Sequence, residues 1–134
     1  MHSKSKARQA ALKYGYRSGL EKDTASFLRK HKVKFTYEEL KIDWEDFKVR
    51  KYTPDFQLEN GIIIETKGRF MPADRAKHLS IKRQFGEDYD IRFLFSNPNA
   101  KLSKKSKTTY WQWCDKHNFK WSKGPEVPAE WMEE

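Results

Sequence analysis

The sequence has a single cysteine, Cys114, which excludes an intramolecular disulfide and any zinc site built from a cysteine cluster. No apolar run is longer than Ile62-Ile63-Ile64, far short of what a membrane-spanning helix needs. The N-terminus is basic but lacks the apolar stretch of a secretory signal, so the expected setting is intracellular and cytoplasmic. Acids are missing from residues 1–17 and bases from residues 125–134. Aliphatic material is also short: Leu, Ile, Val and Phe make up about a fifth of the chain, near the composition at which chains fail to fold. Five Trp and six Tyr offset that shortage with large buriable rings. A core this thin predicts one folded domain stabilised by a partner such as a second copy of itself.

What the chain has in excess is positive charge. It carries 28 Lys and Arg against 19 Asp and Glu, a net charge of +9 over 134 residues. That balance favours a polyanionic partner, because each phosphate neutralised releases condensed counterions. Lys4, Lys6, Arg8, Lys13 and Arg17 form a basic arm over residues 1–17, ahead of a single domain over 18–134. Lys101, Lys104, Lys105 and Lys107 cluster beside Tyr110, Trp111 and Trp113. Both groups read as phosphate contacts that position a nucleic acid without specifying sequence. The two tryptophans could stack on bases, but their helical spacing reads equally as core packing.

Periodicity outlines the elements. Ser18-Gly19-Leu20-Glu21 matches a capping box opening a helix to about His31, with Leu20, Phe27 and Leu28 on one side. Residues 33–37 alternate as a half-buried strand does. Residues 38–51 read as a strand extension or a connector, and 52–56 as a short strand with Pro54 at an edge or start. Asn60-Gly61 predicts a tight turn into a strand over 62–67. A helix follows from Pro72 to about Gln84, then a strand over 91–96 with Ile91, Phe93 and Phe95 on one face, then a helix over 108–117. His31, His78 and His117 are isolated and read as surface or packing residues, and Cys114 as a packed thiol.

One constellation carries chemistry. Side chains alternate along a strand, so Glu65 and Lys67 project to one side and Thr66 to the other. Asp55 lies just upstream across the turn, so two carboxylates and an ammonium converge. Mg²⁺ takes one or two carboxylates and keeps water and phosphate oxygens for the rest of its shell; the backbone carbonyl of Thr66 offers a further ligand. Lys67 could orient a nucleophilic water or stabilise developing charge. Glu21, as the fourth residue of a capping box, reads locally as a helix cap.

The motifs Tyr16-Arg17-Ser18-Gly19-Leu20-Glu21, Tyr52-Thr53-Pro54-Asp55-Phe56 and Glu65-Thr66-Lys67-Gly68 strongly resemble the phage endonuclease I family of Holliday-junction resolvases. Asp74-Arg75, Lys77-His78-Leu79 and Pro128-Ala129-Glu130-Trp131 extend the match in order from about residue 14 to 132. The resemblance implies an α/β fold with a restriction-endonuclease-like core, a mixed central sheet flanked by helices. It also implies Mg²⁺- or Mn²⁺-dependent cleavage of branched DNA, with no small-molecule cofactor. The catalytic set it implies is Glu21, Asp55, Glu65 and Lys67, with Glu21 reaching the metal directly or through water. It further implies an intertwined homodimer, each site combining Glu21 of one chain with Asp55, Glu65 and Lys67 of its partner. The connector Asp43–Lys51 departs from that pattern in lacking proline. The alternatives are a general or sequence-specific nuclease of the same fold, and a non-catalytic basic DNA-binding module.

Overall fold

The computed structural model describes residues 15–45 and 48–134. Its frame is a mixed five-stranded sheet. The elements in chain order are α1 (Gly19–Lys30), β1 (Phe35–Tyr37), β2 (Ile42–Glu45), β3 (Val49–Tyr52), β4 (Phe56–Leu58), β5 (Ile63–Lys67), α2 (Pro72–Phe85), β6 (Ile91–Phe95), α3 (Tyr110–Lys116), β7 (Trp121–Lys123) and α4 (Ala129–Glu133). The sheet order is β1-β4-β5-β6-β7. The β1–β4 and β4–β5 pairs are antiparallel, whereas β5–β6 and β6–β7 are parallel. The parallel pair β5–β6 encloses α2, as a parallel connection requires.

The central strands are buried on both faces, and alternation divides their side chains between two cores. Ile63, Phe93 and Phe95 join Ile81 of α2 and Tyr110, Trp113 and Cys114 of α3, with Phe70 among them. Ile64 and Leu94 face the other way, onto Ala25 and Leu28 of α1, Val127 and Trp131. The aliphatic shortage is met largely by rings: Phe70 lies within 5.7 Å, centroid to centroid, of Phe93, Phe95, Tyr110 and Trp113. Among the described residues no helix is long and apolar enough to cross a membrane.

Several expected elements take a different form. Within residues 38–51, read as a strand extension or a connector, β2 and β3 do not extend the main sheet but pair antiparallel with each other, with Asp43 opposite Lys51. This pair lies on α2, where the Glu45 N–H and C=O bond the Gln84 side-chain amide at 2.9 Å each. The expected strand over 52–56 divides, with β3 ending at Tyr52 and β4 starting at Phe56. Pro54 has no N–H to give a ladder, so the chain bends there and Asp55 sits just before a strand rather than within one. In the turn after β4, Gly61 alone takes a positive φ, +93°. The Gly61 N–H donates to the Leu58 carbonyl at 2.9 Å, giving a three-residue loop that ends in a left-handed glycine.

On α1 the buried face is Glu21, Thr24, Ala25 and Leu28; of the expected stripe, Leu28 lies at its centre, whereas Leu20 and Phe27 are only partly buried at its flank. Their spacing is that of one helical face, and Glu21 lies on it. Two short elements were not anticipated, β7 and α4. The turn at Asn60 anchors the second of these, its side-chain N–H₂ donating to the Trp131 and Glu134 carbonyls at 2.8 and 3.2 Å.

Candidate active site

Strand β5 carries Glu65 and Lys67 on the same face, with the Lys67 Nζ 3.7 Å from Glu65 Oε1. Both follow the buried Ile63-Ile64 pair, so the charged cluster begins where the hydrophobic core ends. Asp55 reaches β5 from the bend after Pro54. Its Oδ2 accepts from both the backbone N–H and the hydroxyl of Thr66, each at 2.9 Å. The Asp55 carbonyl in turn accepts from the Glu38 N–H at 3.0 Å, which ties the end of β1 to the same bend.

Glu21 arrives on α1. The Ser18 hydroxyl accepts from the Glu21 N–H at 3.1 Å, so the first half of the capping box forms. The Glu21 carboxylate, rather than closing the box on Ser18, accepts from the Arg17 N–H at 3.0 Å and from the Tyr37 hydroxyl at 2.5 Å. It is buried, 7 % exposed, and close enough to Asp55 to feel its charge. Within a single chain, then, Asp55, Glu65 and Lys67 meet at the end of β5, and Glu21 comes near enough for the Asp55 charge to raise its carboxyl.

The electrostatics are those of too many carboxylates in too little water. Burial, then the Glu65 charge, pushes the Asp55 carboxyl up to about 7 despite the Thr66 bonds and Lys67. Glu65 is raised by burial, against the pull of Lys67, Tyr52 and Lys77. Glu21 is raised by burial and then by Asp55. Burial works against the Lys67 ammonium, but Glu65, Asp74 and Asp55 outweigh it and hold its pKa above the ordinary value. In the metal-free site those carboxylates favour the charged form of Lys67.

A hard divalent cation fits this donor set. Asp55 and Glu65 repel one another in a poorly solvated place, and a cation between them relieves both penalties. Among the described residues no three His, Cys, Asp or Glu side chains group closely enough to hold an ion by themselves. Two carboxylates with water and phosphate oxygens suit Mg²⁺ or Mn²⁺ chemistry. Thr66 is held between the two, its N–H committed to Asp55.

Neighbours not anticipated from the sequence complete the cluster. The Tyr52 hydroxyl donates to Glu65 Oε2 at 2.6 Å. Asp74 bridges Lys67 Nζ (3.3 Å) and the Met71 N–H (3.1 Å) in the first turn of α2. Its position at N3 after Pro72 was the available signal; the sequence offers none for Tyr52, because the contact crosses from the hairpin to the sheet.

The basic residues divide. Arg17 is exposed beside Glu21, its Nε 3.1 Å from Glu38 Oε1. Lys101, Lys104, Lys105 and Lys107 are exposed on the loop after β6, closed by a bridge between Lys101 and Thr109. That loop leaves the sheet at the end where Lys67 sits, since the Ser96 N–H bonds the Lys67 carbonyl at 3.1 Å. Lys4, Lys6, Arg8 and Lys13 lie outside the described residues. Trp113 is buried in the core, and Trp111 is half-buried against Trp121 at 5.8 Å. His31 is exposed and His117 half-buried, whereas His78 is fully buried among Tyr52, Phe93 and Phe119. Cys114 is a buried free thiol.

The sequence matches the model of the family described as phage endonuclease I over residues 1–134. It is 44 % identical over 120 residues to endonuclease I of Escherichia phage T7, covering 89 % of this chain and 79 % of that protein. It is 47 % identical over 105 residues to endodeoxyribonuclease 1 of Enterobacteria phage T3, covering 78 % of this chain and 68 % of that protein.

Proposed function

The chain belongs to the phage endonuclease I family, and on that premise we propose that it is a metal-dependent DNA endonuclease that resolves four-way junctions and other branched DNA. The observation that carries the reading is the Asp55–Glu65 pair, two mutually repelling acids held beside a fixed ammonium at the end of a buried strand. When bound, a divalent cation supplies Lewis-acid stabilisation at the phosphate and a more acidic attacking water.

The protein's own groups do the rest. Asp55 and Glu65 would hold the cation, with Glu21 joining directly or through water and the Thr66 carbonyl adding a further ligand. Lys67 faces the charge that builds on the phosphate as the water attacks, where a fixed ammonium stabilises most. Arg17 and the lysines of the 101–107 loop contact flanking phosphates, together with the N-terminal arm.

The working unit on this reading is a homodimer with exchanged segments. Exchange would carry α1 and β1 as one unit onto the partner's β4 and open the β2–β3 hairpin into the crossover. The Glu21–Tyr37 bond would travel intact, because both residues lie on the exchanged unit. The approach of Glu21 to Asp55 would be remade between subunits. Two such sites about a two-fold axis suit paired nicks in a four-way junction.

The test compares a labelled four-way junction with its linear duplex under Mg²⁺. Paired nicks confined to the junction support the reading. Equal cutting of both substrates identifies a general nuclease, and tight binding with no cutting identifies a binding module.

A further inference from the structure

Two acids of the site each receive a short hydrogen bond from a tyrosine. Tyr37 donates to Glu21 at 2.5 Å and Tyr52 to Glu65 at 2.6 Å, both at the short end of the O–H···O range. The settings differ. Tyr37 is half-buried, whereas Tyr52 is fully buried and Glu65 only 5 % exposed. In such a place the partner chosen by each carboxylate oxygen is set by the protein rather than by water.

The Tyr52 ring is itself held. His78 packs edge-on against it, centroids 5.2 Å apart and planes at 89°, and the Lys77 ammonium lies 5.0 Å from its centroid. Neither ring nitrogen of His78 has a hydrogen-bond partner among the described residues, so His78 meets Tyr52 as a packing surface. The hydroxyl is thereby aimed at Glu65 Oε2, and Oε1 is left on the side where Lys67 lies. Burial and the Glu65 charge raise the Tyr52 pKa, which keeps the hydroxyl a donor.

We propose that Tyr52 is a positioning residue of the cation site, which holds Glu65 in one orientation by occupying Oε2 and leaves Oε1 for the metal. This rests on the metal-dependent reading above. Groups that orient a ligand from behind commonly change metal affinity by about 10–100-fold when removed.

The experiment titrates Mn²⁺ calorimetrically into the DNA-free protein: wild type, Glu65→Gln, Tyr52→Phe and Tyr110→Phe. The last variant is the control, since it removes another buried tyrosine hydroxyl, one that accepts from the Phe70 N–H at 3.2 Å. The expected result is Mn²⁺ binding weakened about 10–100-fold by Tyr52→Phe and unchanged by Tyr110→Phe. Junction cleavage by Tyr52→Phe should then recover toward the wild-type rate as Mn²⁺ is raised, which a merely structural defect would not do. Wild-type affinity in Tyr52→Phe, or a rate deficit that no Mn²⁺ concentration restores, would overturn the inference and leave the metal-dependent reading standing. Failure of the wild type to bind Mn²⁺ saturably would overturn both.

Discussion

The Asp55 carboxylate accepts both donors of Thr66, its backbone N–H and its hydroxyl, at 2.9 Å each. A residue in an irregular bend is thereby tied to strand β5 by two hydrogen bonds. Thr66→Val removes the hydroxyl and keeps both the shape and the N–H bond. A hydrogen bond to a charged group contributes about 1.5–3 kcal/mol, so urea unfolding at pH 8 in EDTA should show a loss of that order. Unchanged stability would mean the hydroxyl bond does not hold Asp55.

The metal-free protein should become less stable as pH rises from about 4 toward about 7. Asp55 has a folded pKa of about 7 against an ordinary 3.8, so between those values the folded state binds more protons than the unfolded state. The contribution is complete below the lower value and lost as pH passes the upper one; Glu21 and Glu65 are shifted in the same direction. Thermal unfolding in EDTA at pH 5 and pH 8 checks the sign. Asp55→Asn should reduce the difference, and a profile that rises with pH would contradict the burial of these acids.

Segment exchange is tested by co-folding a Glu21→Ala chain with an Asp55→Ala chain and isolating the mixed dimer. If each site combines Glu21 of one chain with Asp55 of the other, one site carries both lesions and the second is intact. Single nicks at a wild-type rate are then expected in a junction assay. Sites confined to one chain would each carry a lesion, and both strands would be cut slowly.

Changing Lys101, Lys104, Lys105 and Lys107 to Gln should weaken DNA binding without altering Mn²⁺ affinity, because none of these lysines is among the proposed metal ligands. The slope of log affinity against log salt should fall by up to about 0.9 for each phosphate that the variant no longer neutralises. An unchanged slope would place the loop outside the DNA interface.

The sequence made the strands of the site legible because Ile62-Ile63-Ile64 and the alternating Glu65 and Lys67 are local signals. It misplaced Asp55 on a strand, since an aromatic-rich run masked the ladder-breaking effect of Pro54. The face of α1 was legible only in part, Leu28 being central to it and Leu20 and Phe27 at its flank. Leu20 and Phe27 outweighed Glu21 in hydrophobicity, yet Glu21, Thr24, Ala25 and Leu28 are the residues buried. Glu21 thus entered the candidate set through the family resemblance, although its spacing from Leu28 already put it on the core side. The β2–β3 hairpin and the Tyr52–Glu65 bond depend on contacts distant in sequence, which local periodicity does not encode.

The central claim is that Asp55, Glu65 and Lys67 form a cation-dependent site that cuts DNA. The most direct measurement follows junction binding and junction cleavage together for the wild type and Glu65→Gln, in Mg²⁺, in Ca²⁺ and in excess EDTA. Cleavage should occur in Mg²⁺ and not in Ca²⁺ or EDTA, and Glu65→Gln should cut about 10²–10³-fold more slowly in Mg²⁺ while it still binds the junction in Ca²⁺. Cleavage by Glu65→Gln at the wild-type rate, or cleavage that persists in EDTA, would contradict it.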